Sequence, residues 1–254
     1  MEASAGYKIN PKTKDSGILT AIPQTGTCPN ECPDCFFQSG RSYLEPLKDN
    51  LPNMPDKYNA EGRIVRVNDG NDSNVDKKLV MDSCQFYDMK FYNTAIPTGL
   101  DEFDGPVVLT INPGEYTDES VCLLDIIPDN LMFVRIRTNT WNIDLVRTAI
   151  AHYSEREVPV ILTFMAYYCD DAIPQGDGDD SPSHVENYVF RKRTTNSYWA
   201  ITTEAWEEVM SEFKYNRWVY SCGKVEGEKG TTACRHCGNC IREYFATMEK
   251  LRED

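Results

Sequence analysis

The stretch GILTAIPQTGTCPNECPDCFF, residues 17–37, joins an apolar run to a group of three cysteines. Its first seven residues, 17–23, are mostly apolar or β-branched, which is typical of a strand buried on both faces of a parallel sheet. Cys28, Cys32 and Cys35 then follow within eight residues, in the spacing C-x3-C-x2-C. The sequence therefore predicts a buried first strand with three thiols directly beyond its C-terminal end.

The same strand pattern recurs along the chain, between segments with helical periodicity. Further strands are predicted at residues 63–67, 90–96, 106–111, 131–137 and 158–164. Apolar residues at spacings of three and four predict helices that begin near Asn74, Asn142, Thr203 and Ile241. Strands that alternate with helices indicate an α/β fold. The link from residue 96 to 106 is too short for a helical crossover, so we expect an irregular unit there or one strand fewer.

Composition and charge restrict the class of protein. The 254 residues carry a net charge of −14, which repels phosphates and disfavours nucleic acid as a partner. The best candidate for a local basic patch is FRKR, residues 190–193, with a solvated strand end as the alternative. We see no signal-peptide-like run and no run of ~18 apolar residues, so we expect a cytoplasmic protein without a membrane partner. In that compartment ten cysteines favour metal binding over disulfides.

A second group of cysteines lies near the C-terminus. Its spacing is C-x11-C-x2-C-x2-C, and its members are Cys222, Cys234, Cys237 and Cys240. Four thiolates complete either a zinc site or a second [4Fe–4S] cluster, and the tight C-x2-C-x2-C run favours the cluster. We expect His236, between two of these cysteines, to face solvent. Of the isolated cysteines, Cys84 and Cys122 are expected in the core, and Cys169 follows a predicted strand.

Three further stretches carry weaker signals. Residues 38–61 contain several prolines and predict a surface loop. Residues 170–186 are rich in Asp, Gly, Pro and Ser, which predicts a mobile loop, with a lid over an active site as the alternative. Aromatic residues crowd the region after the sixth strand and predict core, with a pocket as the alternative. They are Tyr167, Tyr168, Tyr188, Tyr198 and Trp199.

The three-cysteine group resembles the signature of the radical S-adenosylmethionine (radical SAM) superfamily. Three thiolates are one short of a structural zinc site, whereas on a [4Fe–4S] cluster they leave one iron with an open position. The group also follows a strand, at the end where α/β barrels place their chemistry. The family signature usually has an aromatic residue before the third cysteine. Here that position is Asp34, and Phe36 and Phe37 follow, which affects packing around a cluster but not the ligand count.

The resemblance covers roughly residues 15–165 and implies a fold, cofactors and a reaction. It implies a partial (β/α)6 TIM-like barrel within residues 1–221, followed by a cysteine-rich C-terminal extension, residues 222–254. It implies that SAM binds the open iron and is reductively cleaved to a 5′-deoxyadenosyl radical, which abstracts hydrogen from a substrate. The implied partners are an electron donor such as flavodoxin or ferredoxin and a substrate, with a peptide or small molecule favoured over nucleic acid. The catalytic residues beyond the cysteines are unknown.

The resemblance also singles out polar residues at strand ends as SAM contacts. Family members usually carry a Gly-Gly-Glu-like turn after the second strand, which binds the methionine amino group, and VNDGNDSN, residues 67–74, takes that place here. The candidates are Asn68, Gly70, Asp72 and Ser73 after the second strand, Asn112 and Glu115 after the fourth, and Asn139 after the fifth. Turn formation and helix capping are the alternative roles for these side chains.

Two other classes of protein stay open. A non-catalytic iron–sulfur electron-transfer protein would need no SAM pocket. A zinc-binding interaction module would need a fourth protein ligand at the first cysteine group.

Overall fold

The computed structural model describes residues 6–32, 35, 37, 42–112, 123–167, 184–192, 197–223 and 234–253. Its strands are β1 Ile18–Ala21, β2 Ile64–Val67, β3 Lys90–Thr94, β4 Val107–Ile111, β5 Leu131–Thr138, β6 Val160–Phe164, β7 Ala166–Tyr167, β8 Tyr188–Arg191, β9 Tyr198–Ile201 and β10 Val219–Ser221. Its α-helices are α1 Leu47–Asn50, α2 Lys57–Ala60, α3 Lys77–Cys84, α4 Ile143–Glu155, α5 Thr203–Glu212, α6 Cys234–Cys237 and α7 Asn239–Glu253. All six predicted strands are present, and the α/β prediction is confirmed.

Seven strands form one mainly parallel sheet in the order β1-β2-β3-β4-β5-β6-β10. The pairs β1–β2, β2–β3, β3–β4, β5–β6 and β6–β10 are all parallel. The order has two ends, β1 and β10, and the described strands form no closed barrel. A second, antiparallel sheet has the order β7-β9-β8.

The chain divides into two compact units. The first comprises Met1–Thr110, Ile126–Phe133 and Ala233–Asp254, and the second comprises Ile111–Asp125 and Val134–Thr232. Helices α6 and α7 therefore belong to the first unit, together with β1, β2 and β3. Cys222 belongs to the second unit, together with β6 and β10.

The strands of the first unit are buried on both faces, as their continuous apolar runs predict. Thr20, Arg66 and Phe91 are neighbours across β1, β2 and β3, so they share one side of the sheet, here called the Arg66 face. Tyr92 lies on the other face, near Cys84 of α3. Cys84 is fully buried, as expected of a core residue, and this burial raises its pKa to about 12.

The link between β3 and β4 is irregular, as its length predicts. It contains a short 3-10 helix, Leu100–Glu102, and no α-helix. Asn130, which is 8% exposed, holds this link together. Its Nδ2 donates to the carbonyl oxygens of Leu100 at 2.8 Å and Gly105 at 3.3 Å. One buried amide thus organises a parallel connection that has no helix.

Helix α3 begins later in the chain than predicted. Asp76, and not Asn74, is the N-cap of α3, and its carboxylate accepts from the backbone N–H of Leu79. The amide of Asn74 instead donates to carbonyl oxygens of the β3–β4 link. Helix α5 begins at Thr203, as predicted, and Thr202 is its N-cap. Several neighbouring side chains can cap a helix, and tertiary hydrogen bonds decide which of them does.

Residues 42–61 are more than the predicted surface loop. They contain α1 and α2, and Leu44 is fully buried against Ile22 and Phe37. Asn53 pairs with Ile22 through two backbone hydrogen bonds of 2.9 Å. The segment therefore covers the C-terminal end of β1.

The aromatic residues of the second unit contribute to a core. Tyr167 and Tyr188 are buried, with ring centroids 5.8 Å apart, and half-buried tryptophans pack around them. Arg191 of the FRKR run is buried on β8, so this run is not a fully solvated strand end. The predictions for Tyr168, Cys122, Cys169, Arg193 and residues 170–183 lie outside the described residues. Within the described part of the chain, no helix is both long and apolar enough to cross a membrane.

Replacing Asn130 with alanine should lower the free energy of unfolding by about 1–3 kcal/mol, because buried carbonyl oxygens lose their donor. Denaturant unfolding measures this loss. Asp129→Ala is the matched control, since the Asp129 side chain is 69% exposed and forms only a surface ion pair with Lys250. Equal losses in the two variants would contradict the organising role of Asn130.

Candidate functional site

The first three thiols lie on the loop that follows β1. Cys28, Cys32 and Cys35 are half-buried and none forms a disulfide. The backbone N–H of Cys35 donates to the carbonyl oxygen of Cys32 at 3.2 Å, which closes a turn between these two residues. Cys35 also lies within electrostatic range of Cys28. The predicted ligand residues thus lie on one loop beyond the C-terminal end of β1.

The environment of Cys28 favours its protonated form while no metal is bound. Burial raises the pKa of the Cys28 thiol, and the nearby Asp72 carboxylate adds to that effect. Backbone hydrogen bonds from Asn30 and Asp72 act in the opposite direction. A metal that binds here must therefore displace a proton from the thiol.

Asp72 joins the cysteine loop to the ends of β2 and β3, and its side chain is almost fully buried. Its Oδ1 accepts from Thr94 Oγ1 at 2.7 Å and from the backbone N–H of Asn74 at 2.8 Å. Its Oδ2 accepts from the backbone N–H of Ala95 at 2.7 Å and from Asn30 Nδ2 at 3.0 Å. A carboxylate has about four acceptor positions, so these hydrogen bonds use all of them.

Two buried amide oxygens beside this turn have no hydrogen-bond partner among the described residues: Gln24 Oε1 and Asn68 Oδ1. Gln24 Nε2 donates to the carbonyl oxygens of Asp72 at 2.9 Å and Val75 at 3.1 Å, which fixes the orientation of the amide. Asn68 Nδ2 lies 3.2 Å from Ser73 Oγ, and Ser73 is fully buried. Both oxygens are therefore acceptors available to a donor that enters the site.

The sequence analysis identified Asn68 and Ser73 but missed Gln24. The sequence feature that could have identified Gln24 is its position, as a polar residue between the first predicted strand and the first cysteine. Its importance depends on contacts with residues 72 and 75, which are distant in sequence.

Gly70 makes close contact with the cysteine loop. A Cβ atom at this position would lie 2.2 Å from Cε2 of Phe37, closer than side chains pack in proteins. Phe37 is 3% exposed and packs against Ile22 and Leu44. Glycine is therefore required where the turn after β2 meets the aromatic ring.

The remaining candidates for SAM contacts belong to the second unit. Asn112, which follows β4, is buried, and Glu115 lies outside the described residues. Asn139 Oδ1 accepts from the backbone N–H of Trp141 and Asn142, and its Nδ2 donates to the hydroxyl of Tyr167 at 2.9 Å. Asn139 therefore fixes the turn before α4 and is not its cap, since the N-cap of α4 is Asn142.

The C-terminal cysteines lie on helices α6 and α7 and directly after strand β10. Cys234 and Cys237 are the first and last residues of α6, and Cys240 lies in the first turn of α7. Cys222 directly follows β10, and its backbone N–H donates to the carbonyl oxygen of Leu162 at 2.7 Å. All four are half-buried and free of disulfides, and His236 is exposed, as expected.

No set of three His, Cys, Asp or Glu side chains in the described ranges is arranged to hold a metal ion. Metal binding at either cysteine group is therefore a prediction from ligand type and spacing. Comparisons with protein-family models, curated proteins and solved structures found no match for this chain. The resemblance to the radical SAM signature is thus carried by the cysteine spacing and its position after β1.

Gly70→Ala should destabilise the protein by about 1–3 kcal/mol, because the added methyl group must displace the Phe37 ring from a packed core. Thermal or denaturant unfolding measures the change. Gly26→Ala is the matched control, because a Cβ at Gly26 meets nothing within 4 Å. A Gly70→Ala variant as stable as Gly26→Ala would show that the contact between the turn and Phe37 is absent.

Proposed function

We propose that this protein is a radical SAM enzyme that binds a [4Fe–4S] cluster through Cys28, Cys32 and Cys35. The observation that carries the proposal is the group of three half-buried, disulfide-free thiols after β1, joined through Asn30 and Asp72 to the turn after β2. Three thiolates from one loop leave one iron of a four-iron cluster without a protein ligand. That position would be available to SAM.

The order of the sheet supports a partial (β/α)6 barrel as the scaffold. In a doubly wound sheet the strand order reverses at a switch point, but β1 to β6 follow one another without reversal. Right-handed connections between such strands fall on one side of the sheet, as they do in barrels. Barrel enzymes place their chemistry at the C-terminal ends of the strands, where the first cysteine group lies.

The residues around these thiols fit the two cofactors. The cluster and SAM would supply reductive cleavage of a sulfonium bond and a 5′-deoxyadenosyl radical for hydrogen abstraction. Gln24 Oε1 and Asn68 Oδ1 are acceptors suited to the ammonium group of the methionine moiety, since each lacks a donor within the described structure. Because both oxygens are buried, the turn after β2 must open to admit the ligand.

The other side chains of the site hold this arrangement in place. Asp72 fixes the cysteine loop through Asn30 and fixes the end of β3 through Ala95. Phe37 closes one side of the turn against Gly70. The Phe37 ring would thereby shield this side of the site from water when the cofactors are bound.

The C-terminal group is proposed as a second metal site. The proposal rests on the C-x11-C-x2-C-x2-C spacing of Cys222, Cys234, Cys237 and Cys240. A second [4Fe–4S] cluster is favoured over zinc by the C-x2-C-x2-C spacing. The substrate is proposed to be a peptide or small molecule, because the net charge of −14 repels nucleic acid.

Anaerobically reconstituted protein should hold about eight irons if two four-iron clusters form. Replacing Cys28, Cys32 and Cys35 together with alanine should remove about half of that iron. With dithionite, the unchanged protein should form 5′-deoxyadenosine slowly from SAM, and the triple variant should form none. Iron analysis and chromatography measure the two outcomes.

Cys84→Ala is the matched control for these measurements, because it removes a buried core thiol outside both cysteine groups. It should keep the full iron content and the cleavage activity. An unchanged iron count in the triple variant would reject the cluster assignment. Zinc in the purified protein, with no change in the EPR spectrum on addition of SAM, would instead favour a zinc-binding interaction module.

Asn68→Gly should weaken SAM binding by about tenfold or more, the effect expected from losing a hydrogen bond to a charged group. Glycine suits this position because the φ of Asn68 is +59°, in the left-handed region. Isothermal titration of reconstituted protein with SAM gives the affinity. Asp15→Gly is the control, since it introduces glycine at an exposed position with a φ of +61° outside the site. Equal affinity of Asn68→Gly and the unchanged protein would exclude Asn68 as a SAM contact.

A further inference from the structure

Arg66 is a buried cation on β2, and its hydrogen bonding within the described structure is incomplete. It is 7% exposed, and its Nη2 lies 2.7 Å from Asp69 Oδ2. Its Nε has no hydrogen-bond partner within the described residues. Burying a charge costs several kcal/mol unless other charges and hydrogen bonds compensate for it. The ion pair with Asp69 provides only part of that compensation.

A continuous series of hydrogen bonds connects this ion pair to the C-terminal cysteines. The backbone N–H of Cys234 donates to the carbonyl oxygen of Lys12 at 3.0 Å. The backbone N–H of Lys12 donates to Asn10 Oδ1 at 2.9 Å, and Asn10 Nδ2 donates to Asp69 Oδ2. The same carboxylate oxygen accepts from Arg66. All these residues belong to the first unit, so the start of α6 is tied to the Arg66 face.

The electrostatics agree with this geometry. Burial acts against the charge of Arg66, but Asp69 and the nearby Cys234 and Cys240 raise the pKa of the guanidinium above its ordinary value. Arg66 is therefore within electrostatic range of two proposed metal ligands. Four thiolates around a zinc ion or a [4Fe–4S] cluster leave a net negative charge, which a buried site must offset.

We propose that Arg66 is the buried counter-charge of the metal–thiolate centre at Cys234, Cys237 and Cys240, acting through space and not as a ligand. Asn10 and Asp69 hold the guanidinium in place. The inference rests on the metal site assigned under the proposed function. It predicts that the charges of Arg66 and Asp69 affect this centre in opposite directions.

The test compares Arg66→Gln with Asp69→Asn in a chain whose first three cysteines are alanine, so that only the C-terminal centre is loaded. Arg66→Gln should weaken metal retention against a chelator by about tenfold, because a nearby positive charge is lost. Asp69→Asn should strengthen it, because Arg66 is no longer neutralised. If the centre is an iron–sulfur cluster, a tenfold effect on its one-electron reduction corresponds to about 59 mV, downward for Arg66→Gln and upward for Asp69→Asn.

Two controls separate charge from folding. Arg63→Gln makes the same change of charge at an exposed position before β2 and should leave the metal affinity unchanged. Arg66→Lys keeps the positive charge and should retain most of the affinity. If Arg66→Gln does not fold, the sign of the Asp69→Asn effect decides the question alone.

The proposed metal site and the role of Arg66 can fail separately. If the Asp69→Asn protein binds metal no more tightly than the parent, Arg66 serves only as a structural partner of Asp69. If replacing Cys234, Cys237 and Cys240 with alanine removes no metal, the C-terminal metal site is wrong and Arg66 has no such role. Opposite effects of the two charge variants, with Arg63→Gln unchanged, establish the inference.

Discussion

The buried carboxylate of Asp72 is the constraint on which the candidate site depends. Its four hydrogen bonds reach the cysteine loop at Asn30, the end of β3 at Thr94 and Ala95, and the start of the following segment at Asn74. A buried carboxylate is tolerated only when such bonds replace its hydration. The position of the cysteine loop therefore depends on hydrogen bonds to one carboxylate that follows the next strand of the chain, β2.

The two faces of the sheet in the first unit differ in chemistry. One face carries mainly apolar side chains, including those of Val67 and Tyr92, and packs near Cys84 of α3. The Arg66 face instead carries polar groups, including Thr20, whose hydroxyl lies 3.1 Å from that of Tyr43. Buried polar networks are costly unless each member is satisfied, and exceptions to apolar packing concentrate at functional sites. This face is accordingly the part of the fold where chemistry is expected.

Local sequence signals predicted the regular elements well. Continuous β-branched runs predicted all six main strands, because burial on both faces leaves few alternatives to apolar residues. The short β3–β4 link predicted an irregular connection, but not its dependence on Asn130, which lies 30 positions from Leu100. Capping by Asp76 in place of Asn74 was missed because both residues can cap a helix, and only the contacts of Asn74 with the β3–β4 link select between them.

The sequence by itself determined the α/β class, the positions of β1 to β6 and the two groups of thiols, because periodicity and cysteine spacing are local properties of the chain. Only the tertiary structure decided that the Asp72 carboxylate accepts hydrogen bonds from within the protein. It also left Gln24 Oε1 and Asn68 Oδ1 without a hydrogen-bond donor among the described residues. It also brought Arg66 within electrostatic range of Cys234 and Cys240, at a separation of more than 160 residues in sequence. Hydrogen bonds and charge pairs of this kind form between segments that are distant in sequence and meet only once the strands have paired in register. Local sequence patterns therefore do not predict them.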